Sequence, residues 1–411
     1  MKVTVFLLLV MLLNHPLYSQ FSLNGEIRPR AEFRQGYRRM PQPEDTPAGL
    51  VSQRTRLTFG FGTDRLTTNI SLQDVRIWGQ ERTLTHEPSL DLHEAWVQLD
   101  VNEKLSLRAG RQVLQYDNQR FLAVNDWSQV AQKHDGLIMR YLNNSNELHI
   151  GAAFNQSAER LTGTQYYLSN YKTLNYLWYK TALTPALDVS VLVIADGYEH
   201  PENPRLLFMR GTWSTYFQYQ PGAFSISANP GYQHGKTPSG QDIAAWYFSL
   251  EATTPTLSFM NATLGVELLS GNDYKNPGSA YQAFNPSYGA GHTVHGFMDY
   301  FTDIPSHTRG AGLVNPYLKN RFFLNENLVF DADLHLFYLQ NNYVHEADVI
   351  KKYLGTEMDI TLSYSFNPLT QISVGYSMMF GTESMEIISG GNKNEFAHWG
   401  FIMLRVTPVF L

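Results

Sequence analysis

Polar and apolar residues alternate with a period of two along many short segments of this chain. The segment LSLRAG at 105–110 has leucine or alanine at odd positions and serine, arginine or glycine at even ones, and LVFDADLHL at 328–336 repeats the pattern. Successive side chains of a β-strand point to opposite faces, so each segment predicts a strand with one apolar and one polar face. Roughly eighteen such segments occur along the 411 residues.

The connections between these segments alternate strictly between short and long. Short ones occur at 143–146 and 219–222, whereas long, polar, Gly-rich and aromatic-rich ones occur at 271–312 and 341–352. Outer-membrane barrels have short periplasmic turns and long extracellular loops. The sequence therefore predicts an all-β fold, a closed antiparallel transmembrane β-barrel of about 18 strands around an aqueous channel. Lipid offers no hydrogen-bond partners, so the first strand must pair with the last.

Composition excludes several other classes of protein. No run after residue 20 approaches the ~20 apolar residues of a spanning helix, which excludes a helical membrane protein. The formal net charge of -6 excludes a strongly basic nucleic-acid binder. The chain has no cysteine, so it has neither a disulfide framework nor a thiol nucleophile.

The first twenty residues have the pattern of a targeting signal. Lys2 precedes an apolar run, and a small residue, Ser19, lies near the end of the segment. This order is typical of a signal peptide, so we expect residues 1–20 to be removed and residues 21–411 to form the barrel. Together with the strand pattern, it predicts an integral protein of the Gram-negative outer membrane in contact with lipid.

Arginine is concentrated on the polar faces of the early strands. The residues that we expect to line the lumen from this pattern are Arg28, Arg30, Arg54, Arg56, Arg76, Lys133 and Arg140. The third strand changes phase near Gln73, and a bulge there would keep Asp74 and Arg76 on the polar face. The long polar segment at 116–134 lies between two alternating strands, and we expect it to form part of the pore lining.

Four motifs carry a family resemblance. They are GRQVLQYDNQR at 110–120, NDW at 125–127, HDGL at 134–137 and FNPSYGAGHTVHGFMDYF at 284–301. In this order and spacing they resemble the alginate export family of outer-membrane porins. The resemblance implies an eighteen-stranded barrel whose arginine-lined pore passes an anionic uronate polymer.

The resemblance also implies pore residues at matching positions, namely Arg108, Arg111, Gln112 and Arg120. Guanidinium groups suit carboxylates because they stay charged and donate bidentate hydrogen bonds. Strict alternation places Arg111 on the apolar face, so we expect a bulge at Gly110. The alternative role for these arginines is to pair with lumen carboxylates such as Glu94 and Asp74, which would stiffen the wall.

Later strands carry acidic residues on their polar faces. Asp331, Asp333, Glu357 and Asp359 predict an acidic wall opposite the arginines, so the pore would be transversely polarised. The segment 271–312 also contains His292, His295, Asp299, Asp303 and His307. Such residues can bind zinc or calcium, but packing of a Gly-rich aromatic loop over the barrel mouth explains them better. We therefore assign no metal and no cofactor.

Four functions compete on this evidence. The first is a passive channel for an anionic polysaccharide or its oligomers, and the second is an uptake porin for small sugars or organic acids. A membrane-embedded hydrolase is disfavoured because no GxSxG motif and no Ser, His and acid trio stands out. A soluble carbohydrate-binding β-protein would need the Leu, Phe and Val faces to meet in a dry core. Export or uptake partners in the periplasm stay open.

Overall fold

The chain forms one closed β-barrel of 18 strands. The computed structural model describes residues 20–84, 89–164, 166 and 170–411. All barrel strands are antiparallel to their neighbours, and β1 closes the sheet by pairing with β20 from Ile27↔Val406 to Gln35↔His398. The predicted fold class and the pairing of the first with the last strand are confirmed. The predicted signal peptide lies outside the described residues, apart from Gln20, and stays a prediction.

Twenty strands and one α-helix follow one another along the described chain. They are β1 (Gln20–Gln35), β2 (Ala48–Gly62), β3 (Leu66–Ile77), β4 (Leu90–Asp100), β5 (Leu105–Gln112), β6 (His134–Asn143), β7 (Asn146–Phe154), β8 (Thr173–Thr184), β9 (Leu187–Glu199), β10 (Leu207–Tyr219), β11 (Ser225–Lys236), β12 (Asp242–Leu257), β13 (Met260–Leu269), β14 (Leu313–Asn325), β15 (Leu328–Leu339), β16 (Val344–His345), β17 (Asp348–Val349), β18 (Tyr353–Asn367), β19 (Thr370–Gly381), α1 (Glu383–Ser389) and β20 (Ala397–Val406). The pair β16–β17 is a small hairpin in a loop, separate from the barrel. No helix in this described part is long and apolar enough to cross a membrane.

The strand faces divide as the alternation predicts. On β1, Arg28 and Arg30 are buried toward the lumen, whereas Ile27 and Phe33 on the opposite face are exposed. The same holds on β13, where Glu267 is buried and Leu264 is 66% exposed. Apolar side chains thus cover the outside of the barrel, where lipid removes them from water.

Two predicted bulges are wrong. Strand β3 pairs with β2 without a register shift, and the irregularity lies instead on β4, where His93 is the extra residue between Leu92 and Glu94. Strand β5 pairs regularly with both neighbours through Arg111↔Ala95 and Arg111↔Asp135. Without the bulges, regular alternation places the side chains of Arg76 and Arg111 on the outer face of the barrel.

Two long loops fold into the barrel from the long-loop rim. Loop 113–133 and loop 270–312 meet at a parallel bridge between Leu122 and Tyr288, where Ala123 N donates to Tyr288 O (3.0 Å). At Gly289 a Cβ atom would lie 2.0 Å from the Arg120 carbonyl oxygen, so only glycine allows this approach. Buried residues of both loops join inward strand residues in one apolar cluster, which includes Phe121, Leu122, Phe284, Phe301 and Trp399.

The outer face gives the first testable prediction. We expect Leu264→Arg, in the middle of β13, to destabilise the barrel in lipid by about 2–4 kcal/mol, because it places a charge in the hydrocarbon. The neighbouring Thr263→Arg is the control, since Thr263 faces the lumen and lines a cavity there. Urea unfolding in lipid vesicles measures both. Equal destabilisation by the two substitutions would contradict the assignment of the faces.

Candidate channel lumen

Arginines of β1 and β2 fix loop 113–133 inside the lumen. Arg28 donates to Gln129 Oε1 (3.1 Å), Asp126 Oδ2 (3.2 Å) and the Ser128 carbonyl (3.2 Å). Arg54 lies 2.6 Å from Glu26 and 2.9 Å from Asp126. Both arginine side chains are buried, so they brace the wall and the loop.

The middle of this loop is held by charge and by aromatic stacking. Burial works to raise the pKa of Asp126, but the hydrogen bond and charge of Arg54 hold that pKa below its ordinary value. The Trp127 ring lies 4.2 Å from the Arg30 guanidinium and stacks on His292 at 4.3 Å with an interplanar angle of 5°. Trp127 therefore joins the wall, loop 113–133 and loop 270–312.

A second anchor lies across the lumen on β13. Arg120 is buried and forms an ion pair with Glu267, which also accepts a hydrogen bond from the Tyr247 hydroxyl (2.7 Å). His295 of the other loop contacts the same carboxylate with Nε2, while its Nδ1 donates to the Phe301 carbonyl (2.8 Å). One buried carboxylate thus holds both loops.

The predicted acidic wall divides into two parts. Glu357 and Asp359 are buried under loop 270–312, where they accept hydrogen bonds from the backbone N–H of Met298 (2.7 Å) and Phe297 (3.3 Å). The other two, Asp331 and Asp333, line a cavity in the lumen. The wall therefore combines loop anchoring with an acidic surface.

Loop 270–312 also contacts the loop between β1 and β2. His292 Nδ1 donates to Asp299 (2.6 Å), and Asp299 accepts from the Tyr37 hydroxyl and lies 3.4 Å from Arg38. Burial works to raise the pKa of Asp299, yet His292, with Tyr37 and Arg38, holds that pKa below its ordinary value. Within the described ranges no group of three His, Asp or Glu residues has metal-binding geometry.

Three arginines on lumen faces make no ion pair with a carboxylate among the described residues. Arg108 donates to Gln98 Oε1 (2.8 Å) and lies 3.8 Å from the Trp96 ring centre. Arg56 donates to Gln73 Oε1 (2.5 Å), and Arg140 lines a cavity of about 810 Å³ in the short-turn half of the lumen. We call Arg56, Arg108 and Arg140 the lumen arginines.

Two predicted pore cations, Arg76 and Arg111, lie on the outer face and are corrected. Arg76 pairs with Asp74 (2.7 Å) and Arg111 with Asp135 (2.9 Å), in both cases on the outer face near the long-loop rim. Lys133 contacts Asp91 in the same region. The physical reason is the regular register of β3 and β5, which turns the side chains of Arg76 and Arg111 away from the barrel interior.

Gln112 does face inward but braces the sheet, because its Nε2 donates to the carbonyls of Gly110 (3.3 Å) and Gly136 (3.1 Å). The predicted bracing partners Glu94 and Asp74 make no ion pair with a lumen arginine in the described part of the chain. Glu94 instead accepts from Val113 N (3.2 Å). Bracing by carboxylates therefore applies to Arg28, Arg30, Arg54 and Arg120.

Open space lies on both sides of the two inner loops. Toward the short turns, a cavity of about 440 Å³ lies beside the larger one that Arg140 lines, and another of about 410 Å³ lies against β12–β15 and β18–β20. The 410 Å³ cavity is lined by Lys319, Arg321, Asp331 and Asp333, with Arg321 paired to Asp331 at 2.7 Å. Toward the long loops a cavity of about 600 Å³ lies beside Tyr288.

Some important residues were absent from the sequence-based prediction of the site. Glu267 holds both loops, and Trp127 stacks between them. A signal for Glu267 exists in the sequence, since it is the only charged residue of β13 and a buried charge requires a partner. Its partner Arg120 is 147 positions away, so local patterns could not identify the pair.

Comparison with known families confirms the resemblance over part of the chain. The family model described as "Alginate export" matches residues 19–153, about a third of the 411 residues. This region spans β1 to β7 and includes loop 113–133 and the three lumen arginines. No curated protein matches the sequence.

Solved structures share the fold over nearly the whole chain. Pseudomonas aeruginosa OccK1 (OpdK) has a TM-score of 0.63 at 10% identity and covers 95% of this chain and 99% of its own. Acinetobacter baumannii OccAB4 has a TM-score of 0.64 at 14% identity, with coverages of 96% and 100%. A structure of P. aeruginosa OpdK with vanillate gives 0.62 at 11% identity, with coverages of 95% and 99%.

These findings agree with the faces of the barrel. The chain therefore has the 18-stranded barrel fold of these outer-membrane proteins, and its first third matches the alginate export family model. Its lumen is narrowed by two anchored loops.

Proposed function

We propose that the protein is a passive channel for oligosaccharides that carry carboxylate groups, as an alginate-export-like channel would be. The observation that carries this proposal is the set of lumen arginines, which lie on β2, β5 and β6 without a carboxylate within ion-pair distance in the described chain. Buried or lumen-facing arginines elsewhere are neutralised by Glu26, Glu32, Asp126, Asp196, Glu267 or Asp331. A mobile carboxylate is therefore the partner that the lumen arginines lack.

The geometry at Arg108 suits a sugar acid in particular. Its guanidinium carbon lies 3.8 Å from the centre of the Trp96 ring, and two of its nitrogens donate hydrogen bonds to Gln98 Oε1. A planar, oriented guanidinium can donate two parallel hydrogen bonds to one carboxylate. Arg140 lies on the neighbouring strand and lines the large cavity, whose other charged lining residues include Asp64, Asp100, Glu103 and Glu147.

A second candidate is an uptake channel for small sugars or organic acids. The observation that favours it is the filling of the lumen by loops 113–133 and 270–312, whose buried aromatic residues leave separate cavities of a few hundred Å³. A pore narrowed in this way suits short solutes better than a long polymer. The two candidates share the lumen arginines and differ in the length of the solute.

Planar-bilayer recordings of the purified protein test the proposal. We expect Arg108→Gln and Arg140→Gln each to lower the anion over cation permeability ratio about fivefold, since one charge at contact distance in water is worth about 1 kcal/mol. Uronate oligomers of increasing length, compared with neutral dextrins, should block the current of the wild-type protein selectively. If long uronate oligomers block the current only transiently, the channel passes a polymer. If only short oligomers are released and longer ones block the current permanently, the channel passes small acids.

Arg111→Gln is the matched control. Arg111 lies three positions from Arg108 on the same strand but on the outer face, so we expect its replacement to leave selectivity unchanged. If Arg111→Gln and Arg108→Gln have equal effects, or if neither Arg108→Gln nor Arg140→Gln changes the permeability ratio, the assigned role of the lumen arginines is wrong.

A further inference from the structure

The cavity in the long-loop half differs in chemistry from the lumen arginines. We call it the outer cavity; it has a volume of about 600 Å³, within the roughly 300–1,000 Å³ of ligand pockets. Three tyrosines line it, Tyr198, Tyr281 and Tyr288, together with amide side chains that include Gln132 and Asn170. It lies between β9–β12 and loop 270–312.

The cations of the outer cavity are already neutralised. Arg210 forms an ion pair with Asp196, which is fully buried, and Lys236 lies 2.7 Å from Asp242. Asp303 at the rim is exposed. These lining residues therefore offer no unpaired cation to bind a carboxylate. An uncharged ligand does not need one.

The walls of the outer cavity are held rigid. Asp196 accepts hydrogen bonds from the hydroxyls of Tyr198 (3.0 Å) and Tyr288 (2.7 Å), which also contact each other at 2.9 Å. Tyr281 is fixed through its backbone to β12, since its N–H donates to Asp242 O (2.7 Å) and Ala244 N donates to its carbonyl (2.9 Å). A preorganised wall loses little conformational entropy on binding.

Hydrogen-bonding capacity remains where a ligand would lie. The Tyr281 hydroxyl makes no hydrogen bond to another described residue, and the same holds for the Gln132 amide oxygen. Asn170 accepts a bond from Tyr171 N (2.8 Å), which leaves its Nδ2 donors available among the described residues. Amide and hydroxyl groups beside aromatic rings match the hydroxyls and apolar faces of a pyranose ring.

We propose that the outer cavity is a binding site for an uncharged, hydroxyl-rich sugar ring. This inference rests on the proposed function in one respect, because it assumes the same class of oligosaccharide as the solute. The outer cavity would bind the sugar ring, and the lumen arginines would bind the carboxylates. The two halves of the lumen then recognise different parts of one solute. Binding at the outer cavity is independent of the charge on that solute.

Two probes separate these roles, a 1,4-linked uronate trimer and the neutral trimer made by reducing its carboxyl groups. Isothermal titration calorimetry of the full-length protein in detergent measures saturable binding of each. We expect the neutral trimer to bind the wild-type protein, and both Tyr281→Ala and Gln132→Ala to weaken that binding about tenfold through loss of ring contact and hydrogen bonds. Arg111→Gln, on the outer face, should leave binding of the neutral trimer unchanged.

Controls keep the result interpretable. Tyr274→Ala removes a tyrosine from the same loop outside the outer cavity and should leave binding intact, and Tyr281→Phe tests the hydroxyl while retaining the ring. Absence of saturable binding of the neutral trimer, or equal binding by wild-type, Tyr281→Ala and Gln132→Ala proteins, would overturn the proposal. If the neutral trimer binds as expected but the lumen arginine variants keep their anion preference, the proposed function fails and the outer cavity site stands.

Discussion

We expect Glu267→Gln to raise the single-channel conductance several-fold, because Glu267 holds both inner loops. The substitution leaves the buried Arg120 guanidinium without its counter-charge and weakens the contact with His295. Removing one partner of a buried ion pair costs about 3–5 kcal/mol. That energy shifts the equilibrium between docked and undocked loops by roughly two to three and a half orders of magnitude, at about 1.4 kcal/mol for each factor of ten. Bilayer recordings of conductance and open-state noise measure the change.

The control for this prediction is an ion pair of similar geometry in a different environment. Asp135→Asn breaks the Arg111–Asp135 pair, whose two side chains are 32% and 53% exposed on the outer face. Exposed pairs contribute about 0–1 kcal/mol, so conductance should stay unchanged. A conductance for Glu267→Gln equal to that of the wild type, with normal folding in lipid, would show that the loops stay docked without this carboxylate.

Much of the fold follows from alternation alone. The segment 328–336 predicts the two faces of β15 correctly because polar and apolar residues alternate without a break from Phe330 to Leu336. The strict parity of connection lengths fixes the direction of every hairpin. Closure between β1 and β20 follows from the absence of hydrogen-bond partners in lipid. These features depend on local sequence or on general physics, so one sequence is sufficient to predict them.

The site was predictable only in part, because alternation gives the face of a residue and not its depth. Arg28, Arg54 and Arg108 share the lumen face, yet the first two are covered by loop 113–133 and only Arg108 lacks an acidic partner among described residues. The partner of Arg28 is Asp126, 98 positions away in the chain. Arg111 was assigned to the pore from the resemblance, and the regular register of β5 places it outside.

The other large effect is expected for Trp127→Ala. The Trp127 ring contacts Arg30 of the wall and stacks on His292 of loop 270–312, with Trp399 and Phe401 against it at centroid distances of 5.7 Å and 5.1 Å. Truncating a packed tryptophan costs about 3–5 kcal/mol, and the ring is only partly buried, so we expect about 3 kcal/mol. The ring also lines the 410 Å³ cavity, so its loss widens the lumen directly. Conductance and current noise in bilayers should both rise.

Trp127→Phe distinguishes stacking from volume. Phenylalanine keeps a flat ring between Arg30 and His292, so we expect conductance close to that of the wild type and most of the docking energy to remain. If Trp127→Phe behaves like Trp127→Ala, the larger indole volume rather than the stack holds the loops. If neither variant differs from the wild type while Glu267→Gln does, the anchor on β13 is sufficient to keep both loops in place.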